Sequence, residues 1–360
     1  MSTQQIPVVV LAGFLGSGKT TLLNHLLARS RGTRIGAIVN DFGAIEIDAM
    51  AVAGQLGDST VSLGNGCLCC AVDASELDEY LERLTRPAAR LDVIVIEASG
   101  LAEPQELVRM ILASENERIV YGGLAEVVDA VEFDATRTRH PELDRHLAVA
   151  DLVVLNKTDR VGEERLGRVL DTVRGLSGGT AVVRAEYGRI DPGLLFDPAA
   201  RPDAEEKARQ LSFDDLRAEE DAHDCHGDHP HAAYESVSFT SEVPMDPRRL
   251  MEFLDTRPQG LYRIKGYVDF GAADPRNRYA VHAVGRFLRF YPQPWGRDEP
   301  RATQLVLIGS GTDGRALGKE LEACRSGGPG EEPLDAPRDA SAAAYEHSMW
   351  GVLRYVQGEG

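Results

Sequence analysis

Val8-Val9-Val10-Leu11-Ala12-Gly13-Phe14-Leu15-Gly16-Ser17-Gly18-Lys19-Thr20-Thr21 decides the fold. The first four residues read as a buried strand. From Thr20 onward Leu22, Leu23, Leu26 and Leu27 recur at helical spacing. Between strand and helix, Gly13 to Thr20 satisfies G-x-x-x-x-G-K-[ST], and that strand–loop–helix setting separates a phosphate-binding loop from a chance match. Glycines let successive backbone N–H groups turn inward at the positive end of a helix dipole. Lys19 then reaches the β/γ oxygens and the Thr20 hydroxyl ligates Mg²⁺. Gly13, Gly16, Ser17, Gly18, Lys19, Thr20 and Thr21 are the candidate nucleotide-binding residues, with Lys19 also a candidate catalytic group.

Outward from this loop the alternation continues. Further strands are expected at 35–39, 92–96, 126–128, 152–155 and 181–183, with helical patterns between most of them. Val93-Ile94-Val95-Ile96 is apolar without interruption, as a strand buried on both faces must be. The expectation is an α/β P-loop NTPase domain with a mostly parallel sheet over residues 1–200. Residues 201–233 read as an exposed connector, with 10 acidic and 4 basic residues between 201 and 228. Residues 234–325 alternate apolar and polar positions around helical segments at 247–254 and 315–324, which predicts a smaller α+β domain with an antiparallel sheet. Residues 326–360 read as a flexible tail that docks back through a short helix within 345–356.

Two more segments extend the nucleotide site. The strand ending in Glu97-Ala98-Ser99-Gly100 offers an acid that can hold Mg²⁺ through water, and a Gly100 amide placed to sense the γ-phosphate. Asn156-Lys157-Thr158-Asp159 follows another strand. Asp159 there can accept two hydrogen bonds from guanine's N1–H and exocyclic amine, with Asn156 on the O6/N7 side and Lys157 along the base. Adenine lacks that pair of donors and would leave the acid unpaired, so the pattern favours GTP over ATP. Asp41, in Asn40-Asp41-Phe42-Gly43, is placed either to contact Mg²⁺ or the attacking water, or simply to make a turn before a glycine.

The five cysteines are too few for a disulfide framework, and three fall within four residues: Cys67, Cys69 and Cys70. Soft thiolates before a helix N-terminus suit Zn²⁺, Cu⁺ or Co²⁺, and three sulfurs leave a fourth position open, which favours transfer over a closed structural site. The C-x-x-C pair Cys67/Cys70 also admits a redox reading, and packed small hydrophobes are a third. His223, Cys225, His226, His229 and His231 cluster in the connector, either as a low-affinity metal collector or as a solvated linker. His25, His140, His146, His282 and His347 are isolated and carry no assigned role.

The charge balance, 39 basic against 57 acidic residues for a net −18, argues against a nucleic-acid or anionic-membrane partner. No run approaches the roughly 20 apolar residues of a membrane span, and the N-terminus lacks a secretory leader. A cytoplasmic location is expected.

Taken together, Gly13 to Thr21, Asn40 to Gly43, Gly66-Cys67-Leu68-Cys69-Cys70, Glu97 to Pro104 and Asn156 to Asp159 resemble the CobW-type metallochaperone GTPases, relatives of the urease and hydrogenase nickel-insertion GTPases. Tyr262-Arg263-Ile264-Lys265-Gly266 is similar to that family's C-terminal domain. One departure is Asp41, where the family often carries Glu. The resemblance implies GTP hydrolysis with Mg²⁺, coupled to delivery of Zn²⁺ to a client metalloprotein. Co²⁺ for cobalamin synthesis or nitrile hydratase activation is an alternative cargo. A regulatory GTPase with structural zinc is a second reading, and a further copy of the chain is among the conceivable partners.

Overall fold

The computed structural model describes residues 5–30, 32–39, 60–62, 74–87, 89–100, 102–197, 234–297, 299–327 and 349–356. Seven strands form one sheet: β1 (Ile6–Ala12), β2 (Ile35–Val39), β3 (Thr60–Ser62), β4 (Val93–Glu97), β5 (Ile119–Asp129), β6 (Leu152–Asn156) and β7 (Ala181–Arg184). Their order is β3-β2-β4-β1-β5-β6-β7 and every described pair is parallel, in line with the expected P-loop domain. β1 lies centrally between β4 and β5, which brings the ends of three strands to the phosphate-binding loop. β5 runs for 11 residues where the sequence pattern exposed only 126–128, because Gly122-Gly123 interrupts its apolar run.

Helices cover one face. α2 (Ala74–Leu84) and α3 (Pro104–Ala113) bury Leu77, Leu81, Leu107 and Ile111 against Val8, Val10, Ile94 and Ile96. Beside them α4 (Phe133–Arg139), α5 (Leu143–Val149) and α6 (Glu163–Leu176) pack on Val128, Val153 and Leu155. The opposite face meets α1 (Lys19–Arg29) through Leu22, Leu23 and Leu26.

The second sheet is antiparallel, in the order β11-β10-β9-β12-β8, with β8 (Glu235–Ser241), β9 (Leu261–Val268), β10 (Asn277–Val284), β11 (Phe287–Pro294) and β12 (Thr303–Gly309). α7 (Pro247–Thr256) and α8 (Gly314–Ala323) supply its own core with Leu250, Leu254, Leu317 and Leu321. Each of these two helices starts at an aspartate, Asp246 or Asp313, whose carboxylate accepts from two backbone N–H groups. Near the C-terminal end, Met349 and Val352 are fully buried in that core, and Phe290 N–H donates to the Tyr355 carbonyl.

The two sheets share apolar packing. Tyr262, Val284 and Ile308 enter the same cluster as Val9, Leu11 and Leu22, so the second sheet helps cover the face on which α1 lies. Polar contacts fix the join. Ser310 Oγ donates to the Val182 carbonyl at 2.8 Å, His282 Nε2 lies 2.8 Å from the Tyr121 carbonyl, and Arg263 and Lys265 both pair with Asp197. Among the described residues no helix is long and apolar enough to cross a membrane.

Candidate nucleotide and metal site

The loop from Gly13 to Gly18 joins β1 to α1 with φ of +139° at Gly13 and +105° at Gly18, a region that disfavours side chains. Space agrees with torsion: a Cβ at Gly13 would strike the Val127 carbonyl, and one at Gly18 the Asn156 amide. α1 opens with no acidic residue in its first turn, which leaves its N-terminal dipole free to receive an anion. Lys19 is buried and folds back on its own loop, donating to the Gly13 carbonyl at 2.7 Å and the Phe14 carbonyl at 3.3 Å. The buried Ser17 hydroxyl has no hydrogen-bond partner among the described residues. Thr21 is exposed at the first turn of the helix.

Thr20 and Glu97, 77 residues apart, meet in the structure: the hydroxyl donates to Oε1 at 2.7 Å, and Glu97 is buried. β1 and β4 are in register at Leu11 and Glu97, which delivers the acid to the start of α1. A hydroxyl and a carboxylate at the mouth of a phosphate cradle are the hard oxygen donors that Mg²⁺ takes, so these residues fit that ion. Gly100 presses on the loop so closely that a Cβ there would lie 2.7 Å from the Leu15 nitrogen.

On the base side Asn156, placed by sequence on the O6/N7 edge of guanine, is buried and anchors both ends of its amide to backbone, with a second N–H and a second lone pair remaining. Nδ2 donates to the Ser17 carbonyl and Oδ1 accepts from the Gly188 N–H, each at 2.9 Å. Here it braces the phosphate loop against the segment after β7. Lys157, at φ +60°, lies across the loop and donates to the Gly16 carbonyl at 2.7 Å and to Asp129 Oδ2 at 2.6 Å. Asp159 is the middle residue of a short 3₁₀ turn (Thr158–Arg160), with its carboxylate partly open and Arg160 at 3.9 Å. Thr158 completes the wall, since its N–H and hydroxyl both donate to the Ala185 carbonyl.

Sequence reasoning missed Asp129 and the 185–188 segment. Asp129 carries a faint signal as an acid ending an apolar strand, whereas 185–188 has none. His146, assigned no role, lies between Glu103 and Glu126. Asp41, the thiols Cys67, Cys69 and Cys70, and the connector residues His223, Cys225, His226, His229 and His231 lie outside the described residues. Among the described residues no three His, Cys, Asp or Glu side chains converge to hold a metal ion.

A phosphate loop on a parallel sheet, an N-K-x-D turn clamped to it and an antiparallel second domain define a class of GTP-binding protein. Residues 7–184 match the CobW/HypB/UreG nucleotide-binding domain, and 234–325 match the cobalamin synthesis protein CobW C-terminal domain. The chain belongs to the CobW family of P-loop GTPases. Zinc chaperone CobW of Pseudomonas aeruginosa is 33% identical over 88% of this chain and 91% of its own. Zinc chaperone CobW of a Sinorhizobium species is 30% identical over 85% and 93%, and zinc chaperone YjiA of Escherichia coli 30% identical over 84% and 94%.

Proposed function

We propose that this protein hydrolyses GTP and uses the cycle to carry Zn²⁺ to a client metalloprotein. The observation that carries the nucleotide half is the meeting of Thr20 with Glu97 at the start of α1, under a loop whose glycines and lysine are built for phosphate. When bound with the nucleotide, Mg²⁺ supplies charge neutralisation at the β- and γ-phosphates. Thr20 and Glu97 are the residues that would hold that ion. Lys19 exchanges its loop carbonyls for phosphate oxygens, and the Gly100 amide meets the γ-phosphate. Asp159 accepts from guanine, with Lys157 beside the base and Asn156 as the brace.

The metal half rests on Cys67, Cys69 and Cys70 and on relatives that are named zinc chaperones. Three thiolates hold one soft ion and leave a coordination position for the client's ligand. In this reading Asp41 and the thiols lie in sequence between the phosphate loop and Glu97, where γ-phosphate-dependent segments rearrange, so hydrolysis changes which ligands reach the ion. Retained thiols suit a reducing, cytoplasmic setting.

Metal analysis of protein purified from zinc-replete cells tests the assignment. One zinc per chain is expected, lost in a triple Cys67/Cys69/Cys70→Ser variant that still binds GTP. Chelation should likewise leave a folded, GTP-binding chain, whereas unfolding on chelation would mark the ion as structural.

A further inference from the structure

Beneath the phosphate loop sits an acid that the nucleotide chemistry does not use. Glu126 of β5 pairs in register with Ala12, the residue before Gly13, and is completely buried. Neither of its carboxylate oxygens has a hydrogen-bond partner among the described residues. His146 of α5 is also buried and brings Nδ1 to 3.9 Å from Glu126 Oε1, beyond hydrogen-bond reach. Its other nitrogen, Nε2, lies 3.0 Å from Glu103 Oε1. Glu103 is the N-cap of α3, at the end of the segment that leaves β4 at Glu97 and passes Gly100. The ring of Phe14, inside the phosphate loop, stacks on His146 at 5.5 Å and 14°. Glu103, His146 and Glu126 therefore lie in succession between the segment after β4 and the strand under the loop, hydrogen-bonded at the Glu103 end and in electrostatic reach at the Glu126 end.

Among the described residues, the charged groups around Glu126 are few. Lys19 acts on it from α1, Glu103 from the start of α3 and His146 from α5, while its partners Ala12 on β1 and Val153 on β6 carry no charge. Further out, Arg145 reaches Glu103 at 3.4 Å, and Glu142 pairs at 3.1 Å with His140, whose ring also packs on Phe14. A fully buried carboxylate without a hydrogen-bond partner among the described residues favours its protonated form, and Lys19 is a neighbour drawn to it when it is ionised.

We propose that Glu126 is a positioning residue for Lys19. As a carboxylate it draws the ammonium back beneath the loop, and as the neutral acid it leaves Lys19 to the phosphates. His146 and Glu103 set which form is present and report the position of the γ-phosphate segment to it. This rests on the nucleotide reading above.

The sign of the linkage follows. Burial, opposed by Lys19 and reinforced by Glu103, pushes the Glu126 pKa up to about 8 in the nucleotide-free chain. Nucleotide binding turns Lys19 outward and brings in negative charge, and both raise the proton affinity of Glu126 further. Binding thus takes up a proton wherever Glu126 was ionised beforehand. By reciprocity, nucleotide affinity falls as pH rises through about 8, by at most ~10-fold per pH unit for one proton.

The test is calorimetric titration of the full chain with a non-hydrolysable GTP analogue and Mg²⁺, at neutral and at alkaline pH, in buffers of different ionisation enthalpy. At alkaline pH the wild-type chain should take up close to one proton and bind several-fold more weakly than at neutral pH. Glu126→Gln should lose both effects, and His146→Gln should move the midpoint of the affinity profile. Equal slopes and proton counts in wild type and Glu126→Gln would overturn the proposal. So would zero uptake by the wild-type chain at alkaline pH, a result that needs no variant to fold. Strong but pH-independent binding contradicts the Glu126 role alone, whereas absence of guanine-nucleotide binding at any pH contradicts the nucleotide reading beneath it.

Discussion

Lys19, Asn156 and Asp159 show how single side chains divide the labour at the nucleotide site. Lys19 donates to the Gly13 and Phe14 carbonyls of its own loop, which places its charge in the phosphate cradle. Lys19→Ala should abolish GTP binding and leave the thermal melt close to wild type. Asn156→Ala strands the buried Ser17 carbonyl and Gly188 N–H, and should cost about 2–4 kcal/mol in denaturant unfolding while weakening nucleotide binding. Asp159, with its carboxylate partly open, should be dispensable for folding, and Asp159→Asn should relax the preference for GTP over other purine triphosphates. Unchanged discrimination in that variant would mean that the base binds elsewhere. The identities of Lys19, Thr20, Glu97, Lys157 and Asp159 were legible because local motifs fix them. What Asn156 touches was not, since its partners lie 139 and 32 residues away and are backbone atoms of no particular side chain.

Among the elements, the parallel strands were readable wherever they are apolar without a break, as in β4. β5 hid its first half behind Gly122-Gly123, and β3 is three residues long, too short to carry a period. The turn between α5 and β6 was likewise silent. Asp151, just before β6, accepts from the Leu124 N–H at 2.9 Å and from the Tyr121 hydroxyl at 2.5 Å, locking the start of β6 to β5. Burial raises its pKa, with those hydrogen bonds pulling the other way. Asp151→Ala leaves a buried hydroxyl and a buried N–H without their acceptor, and should lower unfolding stability by about 2–4 kcal/mol. A loss under about 0.5 kcal/mol would show that the β5–β6 pairing does not depend on this anchor.

Over the whole molecule, the sequence divides the chain into two domains, and the structure joins them through one apolar cluster that neither half completes alone. Sequence pattern could not reveal that, because Tyr262, Val284 and Ile308 read as ordinary strand residues of the second sheet. His282 marks the join: its neutral Nε2–H donates to the Tyr121 carbonyl, and burial pushes its pKa down to about 4. The unfolded chain would protonate this histidine near its ordinary value of about 6.5, so between the two values the unfolded state binds more protons. Stability should therefore fall as pH drops from about 6.5 toward 4, by roughly 2–3 kcal/mol from this group, and His282→Gln should flatten that limb of the melting curve.

At the same scale stands the coupling of nucleotide to metal, and it has a direct test. Zinc should be titrated into the intact chain with a competing chromophoric chelator, once without nucleotide and once with saturating Mg²⁺ and a non-hydrolysable GTP analogue. Linked sites predict zinc affinities that differ by about 5-fold or more, with the analogue's affinity shifted by the same factor when zinc is saturating. Identical zinc affinities in the two titrations would contradict a GTP-driven zinc carrier.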